Sequence, residues 1–250
     1  MIFDAPGSNP ASFTVGEEVL HGEVSRDGSK IVCGFASSFQ IVDVSSRKVE
    51  NKYKIQGNIN CIKFGEHTNQ FLIVTNKNVL HIHSGESSVD VPLPDEGNAL
   101  ILSNGIVYVG SKKGNLIAVD LATKAVKSNI NISSSKITVL RATNDRKRIA
   151  IGSSNGLLSF YDVESSTLIP TDMKYHLLPI TSIDITTDDS LCITSAHERD
   201  VHTWDIQQYK HVDKVEAVHR NAVMGVALTK NGQAFYSFGH DGSIQRTKLT

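Results

Sequence analysis

Gly152-Ser153-Ser154-Asn155-Gly156 spells the G-x-S-x-G pattern with which many hydrolases expose a nucleophilic serine. That chemistry needs a sharp turn from a strand into a helix, which lifts the hydroxyl clear of the sheet. Here Gly156 leads into LLSFYD, another apolar run with strand character, so the pattern reads as a β-turn. His81 and His83 alternate along one run and share a face. Two imidazoles so spaced begin a metal site only when a third ligand joins them, and spacing supplies neither a third His nor a carboxylate cluster. Cys33, Cys61 and Cys192 each sit inside a separate apolar run (IVCGF, NINCIKF, LCITS) and are expected as buried reduced thiols. Neither GxxxxGK[ST] nor GxGxxG is present to cradle a phosphate. Asn131-Ile132-Ser133 fits a glycosylation acceptor only in a secreted protein, and MIFDAPGSNP lacks the basic leader and apolar stretch of a signal peptide. The expectation is no enzyme, no metal and no cofactor.

The bulk numbers agree with an ordinary soluble domain. The 250 residues are 40% apolar and 20% charged, with a net charge of −1. That balance argues against a nucleic-acid-binding field spread over the surface. No run approaches the roughly 20 apolar residues of a membrane span. An intracellular, most simply cytoplasmic, setting is expected, with the nucleus open.

What positions these residues is a repeat. DVHTWDIQQYKHV (200–212) holds the only tryptophan, Trp204, followed by Asp205. The same design recurs as an apolar run, an Asp, another apolar residue and a polar turn: SFQIVDVSSRKV, NLIAVDLATKAV, LLSFYDVESSTL. Positions 4, 43, 83, 120, 162, 205 and 248 carry the marker or its substitute, at intervals of 39, 40, 37, 42, 43 and 43. Before each run comes a second apolar run (KIVCGF, QFLIVT, GIVYVG, RIAIGS, SLCITS, QAFYSF), introduced in most units by a turn such as Asp27-Gly28 or Asn231-Gly232. A third, alternating run precedes that turn, and a more polar run such as KVENKYKI closes the unit. No segment sustains helical periodicity. Four antiparallel strands in about 40 residues, repeated, predict an all-β propeller of six blades. The blades are expected over 20–55, 56–95, 96–133, 134–176, 177–217 and 218–250, the last completed by a strand at 11–19. Met1-Ile-Phe reads as the tail of a third strand.

On these residues the chain resembles the WD-repeat propellers. In that family a His before the first strand, a Ser or Thr in the second, an Asp in the next turn and the Trp of the third form a hydrogen-bonded tetrad. The resemblance matches His176, Thr194 and Trp204 to it, with Glu198 in place of Asp. The last unit offers His219, Ser237 and Asp241, with Thr247 in place of Trp. Other units depart further, with Asn155 and Lys113 at the Asp position and Tyr161 and Val119 at the Trp position. Most single-domain members have seven blades. Six here leave open a six-bladed ring, a piece of a longer chain, or an open ring completed by a partner.

The resemblance also implies where binding happens: the face bearing the turns between second and third strands. Those turns carry Lys77, Lys112, Lys113, Asn155, His197, Glu198, Arg199, His240 and Asp241. Lys77, Lys112, Lys113 and Arg199 form a candidate basic face for an acidic protein partner, with His240 beside it. Asp145-Arg146-Lys147-Arg148 falls in a turn on the opposite side and reads as a solvated hairpin. The leading expectation is a non-catalytic interaction scaffold. Within it, residues 79–105 resemble the second propeller of actin-interacting proteins that act with cofilin. The alternatives are an open propeller of vesicle-coat or nuclear-pore type, completed by a partner's strand or blade, and a propeller enzyme with a central-channel site.

Overall fold

A computed structural model describes residues 15–249, all β-strand and turn, with no helix among the described residues. The chain divides into two compact units, Met1–Pro92 and Leu93–Thr250. The first unit holds two blades. One is β1 (His21–Val24), β2 (Lys30–Gly34), β3 (Ser38–Asp43) and β4 (Lys48–Lys54), paired in that order. The other is β5 (Ile59–Phe64), β6 (Gln70–Thr75), β7 (Val79–Ser84) and β8 (Ser87–Pro92).

The second unit holds four. The third blade is β9 (Gly97–Ser103), β10 (Ile106–Ser111), β11 (Asn115–Asp120) and β12 (Ala125–Asn131). The fourth is β13 (Ile137–Ala142), β14 (Arg148–Ser153), β15 (Leu157–Asp162) and β16 (Thr167–Lys174). The fifth is β17 (Ile180–Ile185), β18 (Leu191–Ala196), β19 (Val201–Asp205) and β20 (Lys210–Val215). The last sheet, β21 (Val223–Leu228), β22 (Ala234–Gly239) and β23 (Ile244–Lys248), has three strands among the described residues. The fold is an all-β, six-bladed propeller, every pairing antiparallel and between chain neighbours.

Sequence dictates this locally. In the first five blades the second and third strands are largely buried, which is why their apolar runs do not alternate. The fourth strands are mostly exposed and correspondingly polar. Asn104 (φ 50°) and Gly105 (φ 72°) both take positive φ in the two-residue turn from β9 to β10, the geometry that Asn-Gly supplies at least cost. Apolar cores lie between successive blades within each unit. Phe39, Ile41, Phe71 and Ile73 join the first two, and Phe160, Ile180, Cys192 and Trp204 join the fourth and fifth. Gly110 and Gly152 close their strands where the next blade presses in. A Cβ would fall 2.3 Å from Ile137 on Gly110 and 2.8 Å from Ile180 on Gly152.

A polar link repeats at the same joints. Near the start of a blade's first strand, one side chain bonds the carbonyl that opens the next blade. His21 Nε2 lies 3.1 Å from Ile59 O, and Asn98 Nδ2 donates to Ile137 O at 2.8 Å. Thr138 Oγ1 donates to Ile180 O at 2.6 Å, and Thr181 Oγ1 to Val223 O at 2.8 Å. Each bond satisfies a carbonyl between two packed sheets, where an unmet acceptor is costly.

The strand expected at 11–19 falls partly outside the described residues, and 15–20 form no strand. The strand tail expected at 1–3 also lies outside them. The last sheet, expected with four strands, shows three among the described residues.

Candidate functional site

The turns between second and third strands are held from beneath by buried polar groups. In the fifth blade, Trp204, fully buried on β19, donates Nε1–H to Thr194 Oγ1 of β18 at 2.8 Å. His176 Nε2 lies 2.8 Å from the same oxygen. Since that oxygen already accepts from Trp204, the threonine hydroxyl can turn its own hydrogen to Nε2, leaving the His176 proton on Nδ1, 3.4 Å from Glu198 Oε2. Glu198 Oε1 accepts the backbone N–H groups of Leu177 and Leu178, the latter at 2.8 Å. These contacts join His176, Thr194 and Trp204 with Glu198, which ties the 197–200 turn to the loop that leads into the blade. Burial holds His176 below the ordinary imidazole range, against the opposing pull of Glu198.

The last sheet repeats the device without tryptophan. His219 Nε2 lies 2.9 Å from Ser237 Oγ, and its Nδ1 lies 3.1 Å from Asp241 Oδ1. Asp241 also accepts Arg220 N–H at 2.8 Å and Ser243 N–H at 3.0 Å. Hydrogen bonds from Ser243, first its hydroxyl, hold the Asp241 carboxyl well below the usual carboxylate range. Thr247 stands half-buried where the tryptophan would be.

The third blade inverts the arrangement. Asp95, buried in the loop ahead of β9, accepts Lys113 N–H at 2.9 Å from the 112–114 turn and Glu96 N–H at 2.8 Å. Burial alone would raise its pKa, but the Ser111 hydroxyl, these two amides and the Lys113 charge together keep it low. The acid has moved from the turn to the lead-in loop, so Lys113 at the Asp position contributes its amide. In the second blade, Asn76 Oδ1 accepts Asn58 N–H at 2.9 Å, which fixes the turn bearing Lys77.

These networks present exposed residues. Lys77 is exposed in its own unit; Lys112, Lys113, His197, Arg199 and His240 are exposed in the other. Their charge is not bare. Lys112 Nζ lies 2.7 Å from Glu96 and Lys113 Nζ lies 4.0 Å from Asp95. Surface pairs of this kind contribute little stability, and their acids lower the local positive potential.

The remaining sequence signals resolve into structure. Ser154, at the nucleophile position of GSSNG, lies in the turn from β14 to β15, with its N–H bonded to Lys136 O. Gly156 (φ 80°) is required because a Cβ there would fall 2.0 Å from His176 O, the loop leading into the next blade. Thr75, His81 and Asp90 form a hydroxyl–imidazole–carboxylate line, 3.3 and 2.6 Å long. Thr75 is fully buried, so no substrate carbonyl can reach it. Cys33 and Cys192 are buried thiols, and burial pushes both upward in pKa. Cys61 is half-buried.

Sequence reasoning missed several positions. Asp189 buries a carboxylate that accepts Asn144 N–H at 2.7 Å, Asn144 Nδ2–H at 2.8 Å and Asp145 N–H at 2.9 Å. It thereby fixes the 144–147 turn that bears Arg146 and Lys147. His202 and His211, also unassigned, cluster around Trp204. Burial, and the charges of His176 and His211, push His202 down to about 4. A signal existed for the joint residues: one polar side chain recurs at the start of the first strand in unit after unit.

Residues 46–238 match the family described as Nucleolar protein 10-like, N-terminal domain. Polyadenylation factor subunit 2 of Candida albicans (strain SC5314 / ATCC MYA-2876) is 24% identical over 135 residues, which is 54% of this chain. The chain spans only 24% of that relative's length. The crystal structure of the computationally designed Ika8 protein superposes with a TM-score of 0.77 at 14% identity, over 92% of this chain and 71% of that one, a likeness of fold alone. With the repeat, the sheet order and a family match over most of its length in agreement, the chain belongs to the Nucleolar protein 10-like, N-terminal domain family.

Proposed function

We propose that this propeller is a non-catalytic protein-interaction scaffold of WD-repeat type, using the turns between second and third strands as its contact surface. The observation that carries this reading is a set of three acids, buried Asp95 and half-buried Glu198 and Asp241, each bonding backbone amides of a turn or its lead-in loop. A turn fixed from below loses little conformational freedom on binding, so more of the contact energy appears as affinity. Lys112, Lys113 and Arg199 suit an acidic segment of a partner, which would displace Glu96 and Asp95 from the lysines. The names of the family and of the Candida relative support a nuclear, RNA-maturation setting over a cytoplasmic one. The actin–cofilin reading finds no support among these relatives, and we set it aside. The test compares partners captured by the wild type and by the K112E/K113E double variant. Charge reversal should weaken capture as added salt does; capture unchanged by both removes the basic surface from the proposal.

A second reading rests on a different observation. The three-stranded last sheet exposes Tyr236, Phe238 and Ile244, with Met224 more than a third exposed. A strand or blade from a partner would cover those side chains. Substituting Phe238 and Ile244 with serine should then abolish capture of that partner while leaving the K112E/K113E-sensitive set intact. Loss of neither set would dismiss this second reading.

A further inference from the structure

His202 lies on β19 two residues before Trp204 and is buried beside the tetrad. Its ring centroid is 4.3 Å from that of His176, with the planes at 67°. Its Nδ1 lies 2.9 Å from His211 Nε2. One ring nitrogen of His176, one of His202 and a carboxylate oxygen of Glu198 all fall within 4.8 Å of one another. We propose that His176, Glu198 and His202 form a binding site for a single late first-row divalent cation, zinc or cobalt in type.

The donor set is the first support. Two imidazoles and one carboxylate suit such ions, whereas magnesium and calcium favour oxygen donors. The spacing is the second. Ligands about 2.1 Å from a tetrahedral ion lie about 3.4 Å apart, and His176 Nδ1 stands 3.4 Å from Glu198 Oε2. That separation is long for a hydrogen bond and right for two ligands sharing an ion. The third ligand needs only a small inward shift of the His202 ring.

The surroundings fit the same geometry. When His202 donates Nδ1–H to His211, its Nε2 lone pair is presented, the way an outer partner orients a metal-bound imidazole. The Glu198 side chain is 18% exposed, which leaves a solvent path and room for water as a fourth ligand. Binding replaces the His176 Nδ1–H···Glu198 bond and releases that proton, while the Thr194–Trp204 bond remains.

The chain carries its own reporter, because Trp204 is its only tryptophan and its ring centroid is 6.0 Å from that of His202. Cobalt(II) added to the chelator-stripped protein should quench Trp204 fluorescence to saturation at one ion per chain, and zinc(II) should reverse the quenching by competition. H202Q, which leaves the His176–Thr194–Trp204 bonds in place, should abolish saturable quenching. H211A, altering a positioning residue, should weaken binding about 10- to 100-fold. H219Q, in the last sheet, should bind as the wild type does. Folded wild-type protein that shows no saturable quenching overturns the proposal, as does H202Q quenched like the wild type. Should H202Q fail to fold, E198Q decides: it keeps an acceptor for the Leu177 and Leu178 amides, and wild-type cobalt affinity there would equally overturn the site.

Discussion

Replacing Thr194 with valine tests whether the fifth-blade tetrad stabilises as its geometry implies. Valine matches threonine in shape, so the substitution removes one hydroxyl from a fully buried position and opens almost no cavity. Two polar groups then lose their partner. Trp204 Nε1–H loses its acceptor at 2.8 Å, and His176 Nε2 loses its contact at 2.8 Å. Both residues are fully buried, so no water replaces the lost hydroxyl. An unmet buried polar group costs about 1–3 kcal/mol, so two put T194V at about 2–6 kcal/mol less stable. The measurement is urea unfolding followed by circular dichroism, with chelator present so that no cation intervenes. A double-mutant cycle with W204F separates the two contributions. Once the indole N–H is gone, the T194V penalty should shrink by about 1–2 kcal/mol. A T194V cost under about 0.5 kcal/mol, or additivity in the cycle, would refute the account of the tetrad as a mutually satisfied network.

Four other outcomes follow from the same geometry. Ser153 buries a hydroxyl with no hydrogen-bond partner among the described residues, so S153A should be neutral or stabilising by up to about 1 kcal/mol in the same unfolding assay. G156A should cost more than about 1 kcal/mol, because φ there is 80° and the added methyl meets His176 O at 2.0 Å. D189A should strip three donors of their shared acceptor, lowering stability by about 2–4 kcal/mol and speeding proteolysis at the 144–147 turn. Asp95 has its pKa lowered on folding. Its contribution is complete above its unfolded value near pH 4 and fades as pH falls through the lower folded value. D95N should therefore lower stability at neutral pH and flatten the acid limb of the pH–stability curve.

The period of the fold was open to reading because the second and third strands, buried on both faces, write uninterrupted apolar runs at near-constant spacing. Turn chemistry was legible where a positive φ demanded Asn-Gly or Asp-Gly, as at Asn104-Gly105. The fifth-blade tetrad could be read by spacing because one residue of each needed type stood at the family's interval, and glutamate preserved the carboxylate. The third blade could not, since its acid had moved to Asp95 and a lysine stood where an acid was sought. His202 and His211 face each other only across β19 and β20, and a bulge beside Trp204 shifts that register, so no linear spacing announces the pair. The pairing of Lys112 and Lys113 with Glu96 and Asp95 is likewise a matter of folded proximity. Asp189 bonds Asn144 and Asp145 of the preceding blade, a partnership that only folding brings together.

The polar side chains that bridge consecutive blades have a consequence for how damage spreads. Within the larger unit, Asn98, Thr138 and Thr181 each reach the next blade's opening carbonyl. These links form a row of nearest-neighbour bonds, like links in a mooring line. Cutting one loosens two sheets from each other while leaving each sheet's own ladder whole. Such a molecule frays by parting at a seam, and the weakest seam sets the size of the piece that comes away.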